Sequence, residues 1–189
     1  MRATRQGATV NQGRIILIGG GARSGKSDFA LELARGLGTR RLFVATAQPF
    51  DDEMRERIQR HRAERGNEFQ TIEEPLELAR VFASPQADVI LVDCLTLWLS
   101  NLLLAGHPPA HIEERVRELA GALGKRKCHA ILVTNEVGMG IVPENALART
   151  FRDVVGRAHR ELARVADDVY FAVLGMMVKI KPELTAVTL

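Results

Sequence analysis

One short segment of the chain has the residue types and spacing needed to hold a row of phosphates. It reads Gly20, Gly21, Ala22, Arg23, Ser24, Gly25, Lys26 and Ser27. This matches the pattern G-x-x-x-x-G-K-[ST], whose glycines let the backbone turn tightly with its N–H groups facing an anion. In such a loop Lys26 reaches the β- and γ-phosphates and the Ser27 hydroxyl holds Mg²⁺. The segment predicts a P-loop, with Lys26 in a catalytic role.

A P-loop site also needs a carboxylate that orients the water shell of the metal. Asp93 directly follows Val89–Val92, a fully apolar run typical of a strand buried on both faces. We therefore expect Asp93 and Ser27 to hold Mg²⁺ together with ATP or GTP. Asp93 could also cap the helix that follows, and the two roles are compatible.

The elements that must position these residues alternate between strand and helix. Strands are predicted at 14–18, 42–46, 89–92, 130–134 and 169–174. Helices are predicted at 26–34, 51–62, from Glu74-Pro75 onward, at 95–104, after Pro108-Pro109 and at 144–166. This alternation predicts an α/β protein with βαβ units, namely a RecA-like P-loop NTPase fold of three layers around a mostly parallel sheet.

Length and composition point to one globular domain. The chain has 189 residues, of which 46% are hydrophobic and 26% charged, so a single domain at 13–189 preceded by a flexible leader at 1–12 is expected. Basic and acidic residues are interleaved, which gives a net charge of only +3 and predicts no nucleic-acid surface. No stretch is apolar enough for a membrane span. Cys94 and Cys128 lack metal-ligand spacing and favour a reducing cytoplasm.

These features predict nucleoside triphosphate chemistry but leave the substrate open. A regulatory GTPase needs an Asn-Lys-x-Asp motif, which is not found here; Thr134-Asn135-Glu136 is the nearest approach and does not match it. A small-molecule kinase or a nucleotidyltransferase fits the chain length better than a motor ATPase does. A kinase of another small alcohol and a non-catalytic GTP-binding regulatory protein remain alternatives.

Several segments beyond the loop carry a resemblance to a known family. They are Val44–Gln48, Asp51–Met54, Arg57–Arg62, Val133–Asn145, Phe151–Asp153 and Val178–Lys181. Together they closely resemble the bifunctional adenosylcobinamide kinase/adenosylcobinamide-phosphate guanylyltransferase family of cobalamin assembly. The similarity runs from about Arg14 to Lys181, nearly the whole chain.

The resemblance implies two reactions at one nucleotide site. In the first, ATP or GTP phosphorylates the aminopropanol hydroxyl of adenosylcobinamide. In the second, a histidine takes GMP from GTP with loss of pyrophosphate and passes it to adenosylcobinamide phosphate. The family's GMP-carrying histidine corresponds here to His61. A neutral imidazole is a competent nucleophile, although without the resemblance His61 would be interpreted as a solvated surface residue.

The resemblance also implies further nucleotide contacts, at Ala45, Thr46, Ala47, Arg62, Ala63, Glu64, Arg65, Glu73 and Asp93. It suggests a homo-oligomer, specifically a trimer. Asn135 and Glu136 follow a predicted strand, where α/β sheets bind ligands, and are assigned to the corrinoid or the metal. His107, His111, His129 and His159 are interpreted as ordinary surface residues, and Trp98 as part of the core.

Overall fold

The computed structural model describes residues 13–48, 52, 55–56, 66–83, 86–183 and 185–187. Its strands are β1 Ile15–Gly20, β2 Arg41–Ala45, β3 Gln70–Glu73, β4 Val89–Asp93, β5 His129–Val133, β6 Asp168–Val173, β7 Met176–Lys181 and β8 Thr185–Val187. Its helices are α1 Lys26–Leu37, α2 Leu78–Val81, α3 Leu95–Leu104, α4 Pro109–Gly124 and α5 Ala146–Val165, with a 3₁₀ turn at Gly66–Glu68.

The described strands form one sheet in the order β3-β2-β4-β5-β1-β6-β7-β8. Strands from β3 to β6 in this order run parallel, and β7 and β8 are antiparallel additions at one edge. Ile16 and Ile18 of β1 pack toward α1, whereas Ile15 and Leu17 pack toward the helices on the other face. Helices therefore cover both faces of the sheet, and the predicted three-layer architecture with a mostly parallel sheet is confirmed.

Strand register aligns the carboxyl ends of five parallel strands. Neighbouring residues in one row across the sheet come from β1, β5, β4, β2 and β3 in turn. They are Ile18, Val133, Asp93, Ala45 and Glu73. In open α/β sheets ligands bind outside this edge. The fold thus brings the residues after β1, β2, β3, β4 and β5 to one side of the molecule.

The helix predicted from Glu74-Pro75 is wrong, because that segment is a turn and α2 begins only at Leu78. The Glu74 carboxylate accepts hydrogen bonds from the backbone N–H groups of Leu76 and Glu77. These bonds satisfy two backbone N–H groups in a segment, 74–77, that has no helical turn. The preceding strand, β3, has half-buried and exposed residues and so lacks the apolar run that marks β4.

The last predicted strand, 169–174, corresponds to β6 and ends at Val173. The two strands that follow it, β7 and β8, were not predicted from the sequence. Leu174 and Gly175 both have positive φ, 51° and 78°, and connect β6 to β7 as a two-residue hairpin. Such turns are recognised by Asn-Gly or Gly-Gly pairs, and leucine is rare in this conformation. The sequence therefore carries little signal for the hairpin.

Asn101 links α3 to the ligand-binding edge of the sheet. It is buried, and its side-chain amide donates to the carbonyl oxygens of Thr46 at 2.8 Å and Pro75 at 3.1 Å.

Replacing Asn101 by alanine should lower the free energy of unfolding by about 2 kcal/mol, since two carbonyl groups lose their donor in a buried place. Urea unfolding at equilibrium measures the change. Leu104→Ala is the control on the same helix, because Leu104 is 63% exposed and should change stability by no more than about 0.5 kcal/mol. Equal effects of the two substitutions would contradict the assigned role of the Asn101 amide.

Candidate active site

The P-loop motif lies between β1 and α1, in the strand–loop–helix context that it requires. Gly25 precedes the first turn of α1 with φ 81°, a left-handed conformation that favours glycine. A Cβ atom on Gly20 would lie 2.8 Å from the Cβ of Ala172 on β6, so a side chain there would displace the neighbouring strand. Glycine at these two positions therefore allows the tight turn of the loop.

Lys26 is the first residue of α1 and is only 7% exposed. Its Nζ donates to the carbonyl oxygen of Gly21 at 3.0 Å, across the mouth of the loop. Ser24 Oγ is buried and has no hydrogen-bond partner among the described residues. Because buried hydroxyl groups are normally bonded, this atom fits a loop built to receive ligand oxygens.

The residues assigned to Mg²⁺ lie on α1 and β4. Ser27 is the second residue of α1, and Asp93 is the last residue of β4; both are half-buried. Within the described parts of the chain, no group of three or more His, Cys, Asp or Glu side chains could form a metal cluster. One hydroxyl and one carboxylate suit Mg²⁺, which keeps several waters and binds substrate phosphates as well.

Thr46 supports the segment that follows Asp93. Its buried hydroxyl donates to the carbonyl oxygen of Cys94 and accepts from the Cys94 N–H, both at 2.8 Å. The side chain is thereby fully engaged inside the protein, and the nucleotide contact predicted at Thr46 stays a prediction. Ala45 is buried and Ala47 half-buried beside it.

Cys94 is buried, and burial raises the pKa of its thiol to about 11. At neutral pH the sulfur is therefore protonated and is a poor nucleophile. Trp98 is confirmed as a core residue, and its Nε1 donates to the carbonyl oxygen of Leu76 at 2.8 Å.

Glu73 ends β3 and is exposed at the far end of the aligned row. Four strand spacings separate β3 from β1, which corresponds to roughly 19 Å at about 4.8 Å per spacing. A nucleotide whose phosphates lie in the P-loop would have to extend along the whole edge to reach Glu73.

The interpretation of His159 as a surface residue is wrong. Its side chain is only 16% exposed, and Nε2 lies 2.7 Å from Thr134 Oγ1 while Nδ1 lies 3.5 Å from Glu136 Oε2. Burial lowers the pKa of His159, with Glu136 opposing the shift. His159 follows Val155 and precedes Leu162 on the buried stripe of α5, so helical periodicity could have placed it inside.

His129 is likewise half-buried, because it begins β5 and its Nδ1 accepts from the Arg14 N–H at 3.1 Å. It lies at the opposite end of the strands from the P-loop. Nothing in its surroundings gives His129 a part in the site at the P-loop.

The second group of predicted site residues lies outside the described residues. It comprises His61, Arg62, Ala63, Glu64 and Arg65, and the predicted leader at 1–12 lies outside as well. Their assigned roles stay predictions.

None of the helices in the described ranges is long and apolar enough to cross a membrane.

A mostly parallel sheet with a phosphate-binding loop after β1 and a carboxylate at the end of β4 defines a P-loop nucleotide-binding protein. The family model described as cobinamide kinase / cobinamide phosphate guanyltransferase matches residues 16–180. The chain belongs to this family and is a transferase of cobalamin biosynthesis.

Two related sequences illustrate the similarity. The bifunctional adenosylcobalamin biosynthesis protein CobP of Pseudomonas aeruginosa is 45% identical over 170 residues, covering 88% of this chain and 97% of the relative. The protein CobU of Salmonella typhimurium, with the same description, is 42% identical over 181 residues, covering 88% of this chain and 99% of the relative.

Solved structures at low sequence identity share the fold. One of them, an ATPase domain, superposes with a TM-score of 0.57 at 11% identity, covering 94% of this chain and 81% of the domain. A protein from Pyrococcus horikoshii OT3 superposes with a TM-score of 0.58 at 9% identity, covering 93% of this chain and 91% of its own. The P-loop NTPase fold predicted from the sequence is thus confirmed.

Proposed function

We propose that this protein carries out two successive transfers in cobalamin assembly. It phosphorylates the hydroxyl group of adenosylcobinamide with ATP or GTP. It then takes GMP from GTP onto His61 and passes it to adenosylcobinamide phosphate, giving adenosyl-GDP-cobinamide. We infer that both steps take place in the cytoplasm, where Cys94 and Cys128 would stay reduced; both thiols are free.

The observation that carries the kinase step is the arrangement of the P-loop. Lys26 is held at the loop mouth by Gly21, and Ser27 begins the same helix. Phosphoryl transfer needs little covalent help from the protein and depends on positioning and charge stabilisation. Lys26 would hold the γ-phosphate in line with the acceptor hydroxyl and stabilise the charge on its oxygens. Mg²⁺, held by Ser27 and Asp93, would supply further neutralisation of phosphate charge.

The second step rests on family membership and on the chemistry of histidine. Attack of the His61 imidazole on the α-phosphorus of GTP forms a P–N bond and releases pyrophosphate. Attack of a phosphate oxygen of the acceptor on the same phosphorus then breaks the P–N bond and frees the histidine. Splitting the transfer in two lets GTP and the large corrinoid use one site in turn.

The acceptor requirement of nucleotide turnover tests the proposal. Purified protein with ATP and Mg²⁺ should form ADP at a rate that rises strongly with adenosylcobinamide and in equal amount to the phosphorylated product. A kinase of another alcohol would ignore adenosylcobinamide. A regulatory GTP-binding protein would hydrolyse GTP slowly at a rate independent of any acceptor.

A further inference from the structure

A chain of polar side chains links three elements behind the P-loop. The Asn135 N–H donates to Thr96 Oγ1 at 2.7 Å, and Thr96 Oγ1 lies 3.2 Å from Thr134 Oγ1. Thr134 Oγ1 contacts His159 Nε2, whose other nitrogen faces Glu136. This series of side-chain contacts therefore connects the start of α3, the end of β5 and the middle of α5, and it ends at Glu136.

The direction of the hydrogen bonds in this chain follows from the donors available. A carboxylate accepts only, so the His159 nitrogen that faces Glu136 must carry the proton. In a neutral imidazole Nε2 is then an acceptor, and the Thr134 hydroxyl donates to it. Thr96 in turn donates to Thr134 while accepting from Asn135. One neutral tautomer of His159 satisfies every contact and presents an N–H group to Glu136.

Glu136 is held from three sides. Its backbone N–H donates to the carbonyl oxygen of Gly20 at 3.0 Å, at the start of the P-loop. Oε1 accepts from the backbone N–H of Gly138, and Oε2 faces His159. These contacts fix the carboxylate while leaving the side chain 26% exposed.

Glu136 lines a cleft of about 420 Å³ beside the phosphate loop. Gly21–Ser24 form one wall and the β6–β7 hairpin forms another, and Glu136 is the acidic residue among the described residues that line it. Asp93 is already assigned to the metal, and Glu73 lies four strands away. Of these three carboxylates, Glu136 is the one that lines this cleft. Its assignment to the corrinoid or the metal from the sequence stays a prediction.

We propose that Glu136 is the general base of the kinase step and that His159 is its positioning residue. This inference rests on the proposed function. The acceptor hydroxyl oxygen forms a bond to the γ-phosphorus as the bond from that phosphorus to the β,γ-bridging oxygen breaks. The bridging oxygen leaves with the electron pair on the nucleoside diphosphate, and the hydroxyl proton passes to Glu136. His159 keeps its proton throughout and holds the carboxylate toward the loop.

The test compares the two half-reactions in one protein. Glu136→Gln should lower kcat for phosphorylation of adenosylcobinamide at least about a hundredfold, the lower range for general base catalysis. Labelling of the protein by GTP should be unchanged, because formation of the histidine–GMP bond uses no acceptor hydroxyl. A Glu136→Gln variant with kinase kcat near that of the parent protein would overturn the base assignment while leaving the proposed function intact. Absence of both activities from the parent protein would instead refute the proposed function.

The positioning role is tested by two substitutions at His159. His159→Ala should lower kcat for the kinase step without changing KM for the nucleotide. His159→Asn should restore part of the lost rate, since its amide can donate from nearly the same place as Nδ1. The matched control is His129→Ala, a half-buried histidine at the opposite edge, which should keep kinase kcat. Equal loss in the alanine and asparagine variants, or a changed nucleotide KM, would overturn the positioning role.

Discussion

Replacement of Lys26 by alanine should reduce phosphorylation of adenosylcobinamide at least about a hundredfold, which is typical for loss of one charge-stabilising group in an active site. The Lys26 ammonium is buried beside the Gly21 carbonyl group, where its charge is poorly screened. A lysine at this position of a P-loop reaches the β- and γ-phosphates of a bound nucleotide. Formation of the histidine–GMP bond should slow as well, because the pyrophosphate that leaves the α-phosphorus consists of these same β- and γ-phosphates. Coupled measurement of ADP release and radiometric measurement of GMP labelling give the two rates.

Lys127→Ala is the matched control for the Lys26 substitution. Lys127 is exposed just before β5, at the opposite end of the strands from the P-loop. Its removal takes away the same charge and should leave both rates unchanged. A Lys26→Ala variant with both rates close to those of the Lys127 control would contradict the role of the loop.

Replacement of His61 by alanine should abolish covalent labelling by GTP and, with it, the guanylyl transfer. Kinase activity should persist, because the hydroxyl of adenosylcobinamide attacks the γ-phosphate directly. The label on the parent protein should be lost in acid and stable in base, as expected of a bond between phosphorus and an imidazole nitrogen. Protein-bound radioactivity after denaturation and removal of free nucleotide measures it.

The control for His61 is His111→Ala, since His111 is exposed on α4, where its ring centroid lies 4.7 Å from that of His107. This variant should label like the parent protein. If the label survived on His61→Ala, the nucleophile would be another residue. If kinase activity disappeared with the label, the two steps would not be separable as proposed.

The fold could be predicted from the sequence wherever the strands are apolar on both faces. β1, β4 and β5 are buried throughout most of their length, so their apolar runs stood out and the parallel sheet followed. β3 and the antiparallel β7 mix exposed and buried residues, and a leucine in a left-handed turn joins β6 to β7. These parts are stabilised by pairing with strands distant in the sequence, so their own residues show only a weak strand or turn pattern.

The site likewise has one part that could be predicted from the sequence and one part that could not. Phosphate binding by a contiguous loop such as Gly20–Ser27 can be predicted from the sequence alone, because contact with phosphates requires both its spacing and its residue types. The network of Thr96, Thr134, Glu136 and His159 draws on residues up to 63 positions apart in the numbering and forms only when α5 packs beside β5. No spacing rule connects such residues before the fold is known.

A chase of the guanylylated protein tests the central claim most directly. The parent protein is labelled with GTP carrying radioactive α-phosphorus, freed of nucleotide, and mixed with adenosylcobinamide phosphate in a single turnover. We predict that the label leaves the protein and appears in adenosyl-GDP-cobinamide in equal amount. Label that stays on the protein, or that is released as free GMP with no labelled corrinoid, would contradict the two-step transfer.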